Sequence, residues 1–258
     1  MTTLNRSLHR GLELLRVFNR LRTPSLAELA AATGMSKPTV LRYMRTLEEE
    51  GYVALDEGTK RYRLTPTVFE LGYAALSSME FPRLAEPFMD ALALDLGLTT
   101  NLARRDGAEI VMVGRTFAAK EKYKYTPIRA EVGDRLPALV TALGRVLVAA
   151  EPDCLDDVLR TLPIAKLTPK TVTDPARLRA MVEAAAKQGY AVVEEELVLG
   201  YSSLAIGLEH HGRERYALGV TVPSADYPRK RLVGELLPRL EAVRAQLCPA
   251  HSARVRVA

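Results

Sequence analysis

The sequence predicts a two-domain α+β chain, and three observations predict it. Its 258 residues suit one small and one medium domain better than a single compact one. The first fifty residues carry helical periodicity, closed by a short hairpin pattern. Beyond residue 80, helix and strand patterns interleave.

Composition narrows the classes of function. With 48% hydrophobic and 26% charged residues, the chain should bury a proper core rather than remain disordered. No apolar run approaches the roughly 18 residues of a membrane span, and Arg6, Arg10, Arg16, Arg20 and Arg22 punctuate the start. A secreted or membrane-bound protein is not expected. Cys154 and Cys248 are the only cysteines, without metal-ligand or disulfide spacing, so the cytoplasm is the expected compartment and neither metal nor cofactor is expected. The net charge of +5 fits a nucleic-acid binder but fits many enzymes too. Across residues 1–80 cations and anions nearly balance, so placement must decide.

Residues 7–21 space Leu8, Leu12, Leu15 and Phe18 three and four apart, which predicts an amphipathic helix. Ser25-Leu-Ala-Glu28 has the form of a capping box and opens a second helix, which Thr33-Gly34 ends by a left-handed turn. Ser36 caps a third helix with Pro38 in its first turn, and Val40, Met44 and Leu47 form its buried stripe. Hydroxyls and cations gather at its N-terminal end, whereas Glu48, Glu49 and Glu50 stand at the other. A helix entering a major groove by its N-terminal end would keep that acidic triple off phosphate.

Two short strands, Tyr52 to Leu55 and Arg61 to Leu64, flank Asp56-Glu-Gly-Thr-Lys60 and predict a hairpin with a basic tip. Three helices and a basic hairpin in this order make a winged helix-turn-helix over residues 1–64. Its candidate DNA-binding residues are Ser25, Ser36, Lys37, Pro38, Thr39, Arg42, Tyr43, Arg45, Lys60 and Arg61. Thr65-Pro66 then opens a linker helix over residues 65–80, with threonine as its cap. Its stripe of Val68, Leu71, Ala75 and Met79 fits packing on a second subunit or on its own domain equally well.

Taken together, these segments resemble the IclR family of bacterial regulators over nearly the whole chain. The likeness lies in Ser7-Leu-His-Arg-Gly-Leu, Leu29 to Val40 and Leu47-Glu-Glu-Glu-Gly-Tyr-Val53. It continues through Val132-Gly-Asp-Arg-Leu-Pro-Ala138, Gly144 to Ala149, Gln188-Gly-Tyr-Ala191 and Gly200-Tyr-Ser-Ser-Leu-Ala205. The wording leans to the branch that regulates aromatic-acid breakdown. The resemblance implies a GAF-like α/β domain over residues 81–250 that binds an effector and oligomerises, with residues 251–258 as a tail.

Read on its own terms, this second domain begins with a helix near residues 83–96 and strands at residues 99–103 and 110–117. Helices follow at residues 141–150, 153–160 and 174–188, strands resume at Tyr190, Ser203 and Tyr216, and a final helix covers residues 229–246. The helix after Leu136-Pro-Ala-Leu-Val-Thr141 starts with unpaired N–H groups, which favour a carboxylate. The resemblance implies effector contacts from Thr141, Ala142, Leu143 and Gly144, and hydroxyl contacts from Ser203 and Thr221. Leu136, Tyr201 and the acidic Glu194 complete the set with Arg129. Arg129 and Arg145 are the nearest cations in sequence, each also readable as a surface or structural arginine. Gly219 stands where many family members carry serine, which puts one polar contact in doubt. His210-His211 suggests metal ligands, but with no third ligand in view a hairpin tip is the preferred reading. Lys120, Lys122, Tyr123, Lys124 and Tyr125 read as an exposed loop or subunit contact.

The expected function is a ligand-responsive transcription regulator. It would bind a palindromic double-stranded DNA operator as a homodimer or tetramer and respond to a small organic carboxylate. An enzyme is disfavoured because no nucleophile–base pair or nucleotide-binding loop appears. An architectural DNA binder would have no use for so large a second domain.

Overall fold

The computed structural model describes residues 4–117, 130–161, 164–211 and 214–248. Contacts divide the chain at Ser78 and Met79 into two units.

In the first unit, Asn5 caps α1 (Arg6–Val17) by accepting the N–H groups of Ser7 and Leu8 at 3.1 Å. The predicted capping box opens α2 (Leu26–Thr33): Glu28 N–H donates to Ser25 Oγ, and Ser25 N–H donates to Glu28 Oε2 at 2.7 Å. Gly34 ends α2 with φ of 66°, a conformation that costs glycine little. Ser36 caps α3 (Lys37–Glu49). Leu14, Phe18, Leu29, Val40, Met44, Val53 and Tyr62 form one buried core beneath the hairpin of β1 (Val53–Asp56) and β2 (Arg61–Leu64).

The linker helix α4 (Pro66–Ser77) departs from expectation at its cap. Thr65 occupies the cap position, yet its hydroxyl donates to the Gly51 carbonyl instead of accepting an N–H of α4. The side chain thus ties the start of α4 to the end of α3. No residue of α4 is buried.

The second unit is built on a six-stranded sheet in the order β5-β4-β3-β8-β7-β6, antiparallel throughout. Its strands are β3 (Thr100–Asp106), β4 (Glu109–Thr116), β5 (Arg135–Pro137), β6 (Tyr190–Glu194), β7 (Tyr201–His210) and β8 (Glu214–Pro223). The short edge strand β5 is too brief to leave a sequence pattern. Alternation sends Ala205 and Ala217 to one face and Leu218 and Tyr216 to the other. The first face packs on α6 (Ala142–Ala149), which in turn packs on α8 (Pro175–Gln188). The second packs on α5 (Glu80–Leu96) and α10 (Leu237–Leu247). A short α7 (Leu155–Thr161) joins the α6 side.

The predicted final helix is interrupted. A turn α9 (Arg229–Arg231) passes through a π-helical segment, Leu232–Leu236, before α10 begins with Pro238 in its first turn. Proline has no N–H to donate and crowds the carbonyl four residues back, so bonding widens there before the α-helix resumes. Cys154 and Cys248 are free thiols, both pushed up by burial.

Candidate DNA-binding face and ligand cleft

On α3, Lys37, Pro38, Arg42 and Arg45 are exposed, and none of the three cations forms an ion pair among the described residues. The Arg42 guanidinium lies 5.8 Å from the Tyr43 ring centre. Ser36 and Thr39 hydroxyls bond each other at 2.8 Å, so each still has hydrogen-bonding capacity on the exposed side. At the far end, Glu48 accepts the Leu55 N–H at 3.0 Å and anchors the hairpin.

The other candidate residues are engaged within the unit. Arg61 donates to the Thr23 carbonyl at 2.6 Å and meets Glu28 at 3.1 Å. Beside it, Tyr62 N–H donates to the Pro24 carbonyl at 2.9 Å. Arg61 is therefore the bolt between hairpin and α2, and Ser25 is the cap beneath it. The two Ser25 hydrogen bonds, backbone first, and then the Arg61 charge hold the Glu28 carboxyl below the usual range. Lys60 is paired with Glu57 at the hairpin tip.

In the second unit, a cleft opens between α6 and the sheet, with a volume of about 680 Å³ counting the solvent at its mouth. Leu136, Thr141, Ala142, Leu143, Tyr201, Ser203 and Thr221 all line it. Ser203 and Thr221 face each other across β7 and β8 with their hydroxyl oxygens 3.0 Å apart. Thr141 caps α6 by accepting Gly144 N–H at 3.0 Å. The N–H groups of Ala142 and Leu143 fall in the first turn, where a helix supplies no acceptor.

Gly144 does not line the cleft. A Cβ there would lie 2.1 Å from the Ala138 carbonyl oxygen, so glycine permits α6 to pack onto the preceding 3-10 turn, Ala138–Val140. Gly219 does line it, and a Cβ there would meet Leu204 O at 2.6 Å and Leu143 Cδ2 at 3.1 Å. The place of a family serine is therefore closed by backbone and by the Leu143 side chain. Glu194 does not line the cleft either: it is exposed and paired with Arg229 at 3.1 Å. Its neighbour Glu195 is held below the usual carboxylate range by Lys170 and the Gly200 N–H.

The cations sort differently from their order in sequence. Arg129 and the stretch Lys120 to Tyr125 lie outside the described residues. Arg145 is wholly buried, bonded to Glu196 at 2.8 Å and to the Leu139 carbonyl at 2.8 Å, and so belongs to the framework. Among the described residues the cation lining the cleft is Arg115 of β4, which the sequence reading missed. Its side chain is 8% exposed. Nη1 donates to the Ala130 carbonyl at 2.6 Å, and Nε has no partner among the described residues. Among the described residues Arg115 pairs with Glu131, which is 3.9 Å away and 61% exposed, where water screens it. The guanidinium also lies 4.8 Å from the Phe117 ring centre, which leaves its buried Nε as the group able to meet an anion. Thr99 and Asn101 join it at the start of β3.

Comparison with known proteins covers both units. Residues 7–57 match the model of the IclR helix-turn-helix domain, and residues 73–248 match the model of the bacterial transcriptional regulator IclR C-terminal domain. The chain is 32% identical over 245 residues to the Pca regulon regulatory protein of Pseudomonas putida, covering 94% of this chain and 82% of that one. A transcriptional regulator from Rhodococcus sp. RHA1 superposes with a TM-score of 0.75 at 34% identity, covering 95% of this chain and 97% of the other. The inducer-binding domain of a double mutant of the PobR transcription factor from Acinetobacter, solved with 3-hydroxybenzoic acid, superposes with a TM-score of 0.60 at 25% identity. It covers 66% of this chain and 98% of that domain. These relatives are named for regulating transcription, which bears out a regulator over an enzyme. Among the described residues no helix is long and apolar enough to cross a membrane.

Proposed function

Because the chain belongs to the IclR family of bacterial transcriptional regulators, we propose that it is a cytoplasmic, ligand-responsive regulator that binds a palindromic operator as a homo-oligomer and responds to an aromatic carboxylate. Residues 1–64 serve as the DNA-binding part, 65–80 as linker and 81–250 as effector domain. The observation that carries the ligand half is the buried Arg115 guanidinium, its Nε without a hydrogen-bond partner among the described residues, in a cleft rimmed by the α6 N-terminus and the Ser203–Thr221 hydroxyl pair. A benzoate fits that set: its carboxylate meets Arg115 and the Ala142 and Leu143 N–H groups, its ring meets Leu136, Leu143 and Val193, and a ring hydroxyl meets Ser203 or Thr221. The aromatic ligand of the PobR domain supports the same class.

Lys37, Arg42 and Arg45 on α3, exposed and without an ion pair among the described residues, support the DNA half. Leu8 and Leu12 of α1 with Phe69, Leu71 and Tyr73 of α4 are large apolar side chains left exposed in the single chain, which supports self-association. Ligand binding favours one subunit geometry and so changes how two recognition helices span half-sites about 10 base pairs apart or a multiple of that. Footprinting upstream of neighbouring genes, with and without 3-hydroxybenzoate, 4-hydroxybenzoate and protocatechuate, tests this. A protected palindrome whose occupancy changes with one of these acids is expected. Absence of a protected palindrome overturns the regulator reading, and protection indifferent to all three acids overturns the ligand class.

A further inference from the structure

His210 ends β7 and His211 follows it at the tip of the β7–β8 hairpin, a dipeptide that lacks a third ligand in sequence. The fold supplies one. Glu80, in the first turn of α5, lies 130 residues earlier in the chain, and its carboxylate stands 3.9 Å from His210 Nε2. One donor atom from each of Glu80, His210 and His211 falls within 4.8 Å of the other two.

The state of His210 points to a ligand. Its side chain is 10% exposed, and among the described residues its Nε2 has no hydrogen-bond partner. Buried imidazole nitrogens are seldom left so. Phe81 packs against its ring in a tilted arrangement with centroids 4.9 Å apart, and Tyr216 stacks on Phe81 at 4.6 Å, so packing holds the ring with Nε2 on the Glu80 side. The His211 ring returns over it at 3.9 Å, through a backbone φ of 50°. A buried, oriented nitrogen thus meets two exposed side chains that are free to adjust.

We propose that Glu80, His210 and His211 bind a first-row divalent cation of the Zn²⁺ or Ni²⁺ type. An ion about 2.0 to 2.1 Å from each donor holds those donors roughly 3 to 4 Å apart, so the exposed Glu80 and His211 need to close by less than about 2 Å. Two imidazoles and one carboxylate select borderline transition metals over Mg²⁺ and Ca²⁺, which prefer all-oxygen shells. Water completes the coordination. The ion clips the β7–β8 tip to the first turn of α5, and its binding stabilises the second unit by mass action. The cleft is not involved: none of the three residues lines it.

The test uses the full chain without an affinity tag, stripped by chelator and titrated with zinc chloride or nickel chloride alone in calorimetry and thermal melting. Saturable binding of one ion per chain, with a melting temperature that climbs with metal concentration, is expected, and magnesium chloride should do nothing. Glu80→Gln and His211→Ala alter exposed side chains and so fold as the parent does. Each should weaken binding about tenfold or more while leaving the metal-free melting temperature unchanged. His9→Ala and His251→Ala should bind as the parent does. Lack of saturable binding by the parent chain, or undiminished binding by both Glu80→Gln and His211→Ala, overturns the site.

Discussion

Gly144 sits so close to Ala138 that a methyl group on it would lie 2.1 Å from the Ala138 carbonyl oxygen. Backbone cannot yield there as a flexible side chain would, so Gly144→Ala must push α6 away from the turn before it. A loss of about 1 to 3 kcal/mol in denaturant unfolding is expected, with weaker ligand binding because Thr141, Ala142 and Leu143 move with the helix. Parent-like stability would mean that the turn relaxes.

Arg42 and Arg61 are both cations of the candidate DNA face, but only Arg42 is free of a carboxylate. Arg42→Ala should weaken specific operator binding by about 1 to 3 kcal/mol with an unchanged melting temperature. Arg61→Ala should lower the melting temperature as well, since it releases the hairpin from Glu28 and Thr23. Fluorescence anisotropy on operator and scrambled duplexes separates base reading from phosphate contact.

Arg115 and Arg145 should behave oppositely. Arg115→Gln keeps the shape of the cleft and should reduce benzoate affinity about 10- to 100-fold in calorimetry, with operator binding in the absence of ligand unchanged. Arg145→Met leaves Glu196 buried and unpaired, so a loss of about 3 to 5 kcal/mol in folding stability is expected. Wild-type benzoate affinity in Arg115→Gln would move the ligand elsewhere.

The Ser203–Thr221 pair and Thr141 test the rest of the cleft. Ser203→Ala should lower affinity for hydroxybenzoates more than for benzoate. Thr141→Val should cost about 1 kcal/mol of stability in addition, because the hydroxyl that accepts Gly144 N–H is lost. Equal affinity of Ser203→Ala for all ring substituents would remove the hydroxyl contact.

Tyr216 gives a pH signature. Burial, with the nearby Glu214 charge adding to it, pushes its phenol up to about 12. The folded state holds this proton more tightly than the unfolded chain does. The associated stability is therefore complete below the ordinary tyrosine value of 10 and lost as pH rises toward 12, by at most about 3 kcal/mol. Tyr216→Phe should flatten that alkaline fall in chemical denaturation; an unchanged fall would assign it to other groups.

The sequence by itself determined what depends on near neighbours along the chain. Capping at Ser25, Ser36 and Asp174, the left-handed stops at Gly34 and Gly189, and helix and strand periodicity involve residues a few positions apart, so their signals are written locally. The helix order and hairpin of the first unit were legible for that reason, as was the start of α6 at Thr141, whereas the effector contacts of Thr141 to Leu143 came from the resemblance. Resemblance added Ser203 and Thr221.

Only the tertiary structure decided which charges are spent and which are available. Arg145 is adjacent in sequence to the α6 start but is neutralised by Glu196, 51 residues away. Arg115, on a strand paired two positions from β8, reaches the cleft instead. Arg61 is taken by Glu28, and Thr65 gives its hydroxyl to Gly51 rather than to its own helix. Glu80 meets His210 and His211 for the same reason. Electrostatic and hydrogen-bond partners are chosen by distance in space, and the order of strands in a sheet sets that distance without leaving a periodic mark on the chain.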